Sequence, residues 1–351
     1  MTPFDDRLPA WGLATAPFAW GGPVASADFK TRPEDFVVEE VLGYEPAGEG
    51  EHLYLLLQTR DHNTRYTLQC LARQFGVAMR RVSYSGLKDR QAVTSQWFSV
   101  HLPGSTLAPD PAALAQQGIQ LQRWSRHPRK LRIGTHQRNR FLIRLRQVSD
   151  AAALEQPLQW AASAGVPNYF GPQRFGRQGA NIAEAEACLQ QGVLPRERVA
   201  RGRVLSCLRS WWFNGRLGQR LQQGLWPRWQ PGDPLMLRGS RSFFTTQEWD
   251  TELQQRWERG DIEPAGWLPA ADEPNLPPPW QVLLQAANMN PEPRPWRLLP
   301  EQFQVQWQEH GQGQDLCLSF QLPKGAFATC VLRELVRLRQ PQTAAPPTAA
   351  F

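Results

Sequence analysis

The residue in this chain best suited to chemistry is an aspartate, Asp89, with Lys88 immediately before it. It lies in the stretch SYSGLKDRQAVTSQWFS, residues 83–99. Val82 and Tyr84 read as a short strand and Gly86 to Arg90 as a turn. Phe98, Val100 and Leu102 then alternate with Trp97, Ser99 and His101, the period of a half-buried strand. Most aspartates in such a turn are solvated or cap it. A carboxylate beside a cation, however, stays ionised at neutral pH. An ionised carboxylate can attack a sugar anomeric carbon or a base ring without metal or cofactor.

Other chemistries lack their residues. There is no HExxH, no CxxC and no EF-hand loop, and the six histidines are scattered, so no metal is expected. GGP (21–23) and GEGEH (48–52) are too short to cradle a phosphate, and no cofactor is expected. No GxSxG is present. The cysteines, Cys70, Cys188, Cys207, Cys317 and Cys330, are odd in number and do not form a disulfide framework, which fits a reducing cytoplasm. The start MTPFDDRLPAWG has neither the basic nor the apolar region of a secretory signal, and LYLLL (53–57) is too short to span a membrane.

The charge balance points to a polyanionic partner. The formal net charge is +7, carried mostly by arginine, whose planar fork pairs with phosphate and stacks on bases. The densest stretch is RWSRHPRKLRIGTHQRNRFLIRLR (123–146), with nine Lys or Arg and no acid. Nine like charges repel unless something neutralises them. With Trp124, His127 and Phe141 interleaved as stacking surfaces, the run suits RNA better than a merely solvated strand face. Arg129, Lys130 and Arg132 are its candidate RNA contacts.

The elements that must position these residues follow from period and punctuation. Residues 28–43 and 51–60 read as strands, the first centred on Phe36–Val38 and started by Pro33. Residues 63–76 read as a helix with Thr64 as N-cap, Leu68, Leu71, Ala72 and Phe75 on one face, and Gly76 as its stop. The basic run ends as a strand alternating about Phe141, Ile143 and Leu145. After residue 150 come helical stretches, including 181–192 and 206–224. A proline-laden segment, 265–300, reads as a linker. A hairpin at 303–322 pairs Phe303, Val305 and Trp307 with Leu316, Leu318 and Phe320, and a last helix spans about 326–339. With 351 residues, the simplest account is one mixed α/β domain interrupted by a helical insertion.

SGLKDRQAVTSQW (85–97) resembles the GxKDxxAxTxQ motif of the TruD family, tRNA pseudouridine synthase D. KTRPEDFVVEE (30–40), GEGEHLYLLLQTRDHNT (48–64), RNRFLIRLR (138–146), GVPNYFGPQRFG (165–176) and LPKGAFATCVLREL (322–335) resemble further family blocks, in family order. The resemblance implies an α+β, pseudouridine synthase fold with a central, mainly antiparallel sheet. The catalytic domain would be discontinuous, 1–164 and 301–351, with a helix-rich TRUD insertion at 165–300 and RNA in the cleft between. It implies isomerisation of a tRNA uridine, uridine 13, to pseudouridine. Asp89 matches the catalytic aspartate and Lys30 the basic residue that pairs with it. Phe36, Asn139 and Phe327 match positions that bind the target nucleotide, and Phe141 the aromatic ring beside it. Arg174 and Arg177, with Arg209 and Arg216, are weaker RNA-binding candidates resting on charge alone. The expected partner is tRNA, with no protein partner, no membrane and a monomeric state. Arg138 stands where the family has Gly, and 265–300 shows no family motif. The rival classes are a non-catalytic tRNA-binding or chaperone relative, from which the presence of Asp89 distinguishes this chain, and a metal-dependent ribonuclease.

Overall fold

A computed structural model describes residues 15–88, 91–176, 179–273, 276–310 and 313–339. The chain divides into two compact units. One comprises Pro23–Gln156, Pro300–Gly325 and Val336–Phe351; the other comprises Met1–Gly22, Pro157–Leu299 and Ala326–Leu335.

In chain order the first unit holds β1 (Ala25–Asp28), β2 (Phe36–Val41), β3 (His52–Arg60), α1 (Thr64–Gln74), β4 (Val82–Tyr84), β5 (Val93–His101), α2 (Pro111–Ala115), β6 (Ile119–His127) and β7 (Arg138–Val148). The second holds α3 (Glu155–Ser163, from its third residue on), β8 (Val166–Pro167), α4 (Ala180–Gln191), α5 (Arg198–Gln222), β9 (Leu235–Leu237), β10 (Phe243–Phe244), α6 (Thr251–Glu258), β11 (Ile262–Leu268), α7 (Pro278–Ala286), β12 (Glu292–Pro295) and β13 (Arg297–Leu298). The chain then returns to the first unit for β14 (Glu301–His310) and β15 (Gly313–Pro323), gives α8 (Ala328–Leu335) to the second, and ends its described part in β16 (Val336–Arg339).

The fold class is α+β. A ten-stranded sheet runs β14-β15-β7-β2-β5-β3-β6, with β1 joining β7 and β16, and β4 joining β5. Its ladders are antiparallel except β2–β5 and β1–β16. The LYLLL run is apolar throughout because β3 is covered on both faces. Leu53, Leu55 and Leu57 pack with Leu71 of α1 and Phe75 just after it, while Tyr54 and Leu56 pack with Leu42, Trp97 and Leu131. In the second unit a four-stranded sheet, β10-β9-β11-β12, accompanies the helices, and the long α5 buries Trp211, Trp212 and Phe213. Among the described residues no helix is long and apolar enough to cross a membrane.

Three local expectations are corrected. The N-cap of α1 is Asn63, whose side chain accepts from the Tyr66 N–H at 2.8 Å; Thr64 is buried in the first turn instead. Residues 265–300 are not a linker. Pro278 and Pro279 sit in the first turn of α7, where no N–H is needed, and Pro293 and Pro295 lie in the edge strand β12. The last helix stops at Leu335 because Val336–Arg339 pair in parallel with Ala25–Asp28, so tertiary pairing overrides local helix propensity.

Candidate active site

Two neighbouring strands carry most of the site. β2 and β7 run antiparallel with Phe36 opposite Ile143, Val38 opposite Phe141 and Glu40 opposite Asn139. Side chains alternate along a strand, so Phe36, Val38 and Glu40 turn to one buried face with Asn139, Phe141 and Ile143. One end of this face is polar, the other aromatic.

At the polar end the Lys88 ammonium reaches Glu40 Oε1 at 2.6 Å and Asn139 Oδ1 at 3.1 Å. The Trp97 N–H donates to Glu40 Oε2 at 3.0 Å. Both ion-pair side chains are buried. Burial pushes the Glu40 carboxyl above its usual range, and the Lys88 ammonium and Trp97 amide pull against that. Ser85 and His136 extend the network: Ser85 Oγ lies 2.6 Å from His136 Nδ1 and accepts the His136 backbone N–H at 2.8 Å.

The donors fix the tautomer. A lysine ammonium only donates, so Asn139 presents its oxygen to Lys88 and its NH2 group to His136 Nε2, 3.4 Å away. Nε2 therefore accepts, and the ring proton sits on Nδ1, toward Ser85. Burial, with the Lys88 and Lys324 charges, holds the imidazole neutral down to about pH 4. The loop leading to Lys88 is anchored as well. Gln96 Nε2 donates to the Gly86 carbonyl, and the Lys88 amide donates to Thr64 Oγ1 at 3.4 Å. Gly86 packs so closely that a Cβ there would lie 3.0 Å from His136 Cε1 and 3.3 Å from Glu40 Oε1.

At the aromatic end the Phe36 and Phe141 ring centroids are 6.0 Å apart, and Phe141 continues to Phe320 at 5.6 Å. Lys30 has φ 56, a left-handed conformation that a non-glycine residue adopts at a cost of about 1 kcal/mol. Its ammonium stands over the Phe36 ring, 4.1 Å from the centroid, and 5.3 Å from that of Phe29. A cation, stackable rings and a fixed amide thus share one strand face, a set suited to an unstacked base.

Comparison with known proteins gives this arrangement a family. The model of tRNA pseudouridine synthase D (TruD) matches residues 13–191. Among similar sequences, tRNA pseudouridine synthase D of Chromohalobacter salexigens is 43% identical over 337 residues, covering 92% of this chain and 96% of that protein. The protein of the same name from Xanthomonas axonopodis pv. citri is 42% identical over 349 residues, covering 91% and 94%. The chain belongs to the TruD family. A crystal structure assigned to tRNA pseudouridine synthase D (TruD) of Methanosarcina mazei shares the fold, with a TM-score of 0.66 at 21% identity over 91% of this chain and 95% of that one.

The residues expected from the TruD motifs fall in different places. Lys30, Phe36, Asn139 and Phe141 share the strand face just described. Asp89 and Arg177 lie outside the described residues. Phe327 belongs to the second unit, half-buried, with its ring edge-on to Phe170 at 6.2 Å; Gly171 leaves it room, since a Cβ there would come within 2.9 Å of its ring. Arg129, Lys130 and Arg132 are exposed in the loop between β6 and β7. Arg174 turns inward, its Nη1 donating to Ser206 Oγ at 2.6 Å and its guanidinium 5.2 Å from the Phe170 centroid, and burial lowers its pKa. Arg209 is buried and donates to the Asn290 and Leu268 carbonyls, while Arg216 is exposed.

The basic run is also less bare than its sequence suggests. Across the sheet Arg138 meets Glu301 at 3.0 Å, Arg140 meets Glu39 at 3.6 Å, Arg144 meets Asp315 at 2.8 Å and Arg146 meets Asp35 at 2.7 Å. Acids elsewhere in the first unit neutralise what no acid in the run does. The members of the polar end that sequence reading misses are Glu40, Ser85 and His136; Lys88 enters it only as the cation beside Asp89. One could have been found: strand period places Glu40 on the buried face of Phe36 and Val38.

Proposed function

We propose that this chain converts a uridine of tRNA, uridine 13, to pseudouridine, with Asp89 as the catalytic carboxylate. Membership of the TruD family supplies the reaction class. The observation that carries the assignment to this site is the anchoring of the segment that enters Asp89. Lys88, the residue before it, is locked between Glu40 and Asn139.

In the reaction the C1′–N1 bond of the uridine breaks, the uracil turns, and C5 bonds to C1′. The proton on C5 then leaves to solvent and N1 takes up a proton, so the product is an isomer. Asp89 serves as nucleophile or proton acceptor, kept ionised by Lys30. Phe36 and Phe141 offer ring faces to the extruded base, which offset its unstacking. Asn139 spends its oxygen on Lys88 and one N–H on His136, which leaves one N–H and one lone pair for the uracil edge. Phe327 is assigned a part in nucleotide binding from its motif. The catalytic domain is assigned to 1–164 and 301–351 and the TRUD insertion to 165–300. Exposed Arg129, Lys130 and Arg132, with Arg177, serve the tRNA, whereas Arg174, turned inward onto Ser206 and Phe170, is dropped from that set. A cytoplasmic monomer without cofactor is the working form.

The test is tritium release from tRNA transcripts carrying [5-³H]uridine, with wild type and Asp89→Asn, on a normal transcript and on one with cytidine at position 13. Release is expected only from wild type acting on the normal transcript. Equal release by Asp89→Asn removes the aspartate from the mechanism. Release from the cytidine-13 transcript moves the target elsewhere.

A further inference from the structure

Two bulky apolar side chains stand in water beside the polar end of the site. Ile133 is 78% exposed and Leu87 is 77% exposed. Single exposed apolar residues are common and mean little. These two sit on adjoining loops that are bonded together: the Gly134 N–H donates to the Ser85 carbonyl at 2.7 Å. Leu87 directly precedes Lys88, and Ser85 holds His136, so both loops are extensions of the network that fixes the site.

The turn that carries Ile133 is clamped from several sides. Arg132, Ile133, Gly134 and Thr135 form a tight turn closed by the Thr135 N–H to the Arg132 carbonyl at 3.1 Å. Gly134, at φ 76, supplies the positive dihedral that the third position of a type II turn requires. The Thr135 hydroxyl donates to the Arg132 carbonyl at 2.6 Å and accepts the Arg132 N–H at 3.1 Å. Lys324 donates to the Gly134 carbonyl from the end of β15. At the tip is a β-branched residue with a restricted χ1, so little rotamer freedom remains to be lost on contact. A rigid turn that spends its tip on an exposed isoleucine needs an occupant for that surface.

The surroundings select the occupant. Arg129, Lys130 and Arg132 are exposed on the same loop, and the Lys130 ammonium donates to the Arg80 carbonyl at 3.2 Å, which brings the exposed Arg80–Arg81 pair alongside. An apolar point ringed by cations matches the stacked bases of an RNA with phosphates on either side. We propose that Ile133, with Leu87 beside it, is the wedge that enters the base stack and fills the gap left when the target uridine is extruded. This rests on the reading of the site as a uridine isomerase, and it adds the device that opens the stack.

The test places 2-aminopurine next to the target uridine in a tRNA transcript and follows its fluorescence on mixing with wild type, Ile133→Ala, Leu87→Ala, the double variant and Ile133→Leu. Wild type should give the rise that accompanies unstacking. The alanine variants should keep tRNA affinity within about twofold, lose most of the rise, and lose about tenfold or more in kcat on folded tRNA, the scale expected when unstacking is no longer offset. Ile133→Leu should restore both. Both residues are exposed, so thermal melting should be unchanged in every variant. A wild-type rise in the alanine variants overturns the wedge. Parallel loss of affinity and turnover also overturns it, by making the pair a docking contact. If wild type gives the rise yet releases no tritium, the isomerase reading fails and the wedge survives.

Discussion

His136 is neutral in the folded protein because burial, the Lys88 charge and the Lys324 charge all oppose a second proton. A second proton on Nε2 would also face the NH2 group of Asn139 and break that contact. Lys88 and Lys324 lower its pKa, and the Glu40 carboxyl lies 3.9 Å from Nδ1. The folded pKa is depressed from 6.5 to about 4. A depressed histidine contributes stability that is present above 6.5 and lost as pH falls through 4. Glu40, whose folded pKa is raised above 4.5, has the opposite sense: its contribution is present at low pH and lost as pH rises through the folded value. Comparison with a variant separates the two. The urea midpoint of wild type should fall more steeply between pH 6.5 and 4 than that of His136→Gln. Parallel pH curves for the two proteins would show that His136 does not titrate in this window.

At the scale of elements, β7 is held by ion pairs and by one bulge. The ladder between β15 and β7 shifts register between Gln314 and Leu316. There the buried Asp315 carboxylate accepts the Gln147 N–H at 2.9 Å and the Arg144 Nε–H at 2.8 Å, with Arg146 at 3.8 Å. Burial alone would raise its pKa. The Gln147 amide and the two arginines outweigh burial and hold the carboxyl below 3.8. Asp315→Asn keeps an acceptor for Gln147 but not the charge, and should cost about 2 kcal/mol at neutral pH. The difference from wild type should vanish as pH falls through the folded Asp315 pKa, because a lowered carboxylate contributes only above it. Urea titrations at neutral and acid pH measure both. A constant difference across that range would mean that the charge is not what Asp315 supplies. The same strands show what was legible in the sequence. Alternation gave β5 and β7, and apolar runs gave β2 and β3. Neither could give the pairing of Lys88 with Glu40 or of Ser85 with His136, which are 48 and 51 residues apart and meet only through sheet order. Proline content misled over 265–300 because proline is read as a breaker, although the first turn of a helix and an edge strand both accept it.

The whole molecule carries a net charge of +7, but its positive charges are not equally available to RNA. On β7, Arg138, Arg140, Arg144 and Arg146 are each matched by an acid from elsewhere in the first unit. A guanidinium already paired with a carboxylate condenses few counterions and has few to release. The exposed charges of the loop before β7, Arg129, Lys130 and Arg132, surround the Ile133 turn with no acid in the run. Salt dependence should separate the two sets, since each phosphate neutralised contributes roughly 0.7–0.9 to the slope of log affinity on log salt. Substituting Arg129, Lys130 or Arg132 by Gln should reduce that slope by about 1 each. Arg144→Gln should leave the slope unchanged and alter stability instead. Titrating tRNA binding by filter retention across a range of KCl concentrations, with thermal melts of the same proteins, gives both quantities. If Arg144→Gln flattens the slope as much as Arg132→Gln does, the pairing across the sheet does not withhold charge from the RNA, and the strand itself is part of the binding surface.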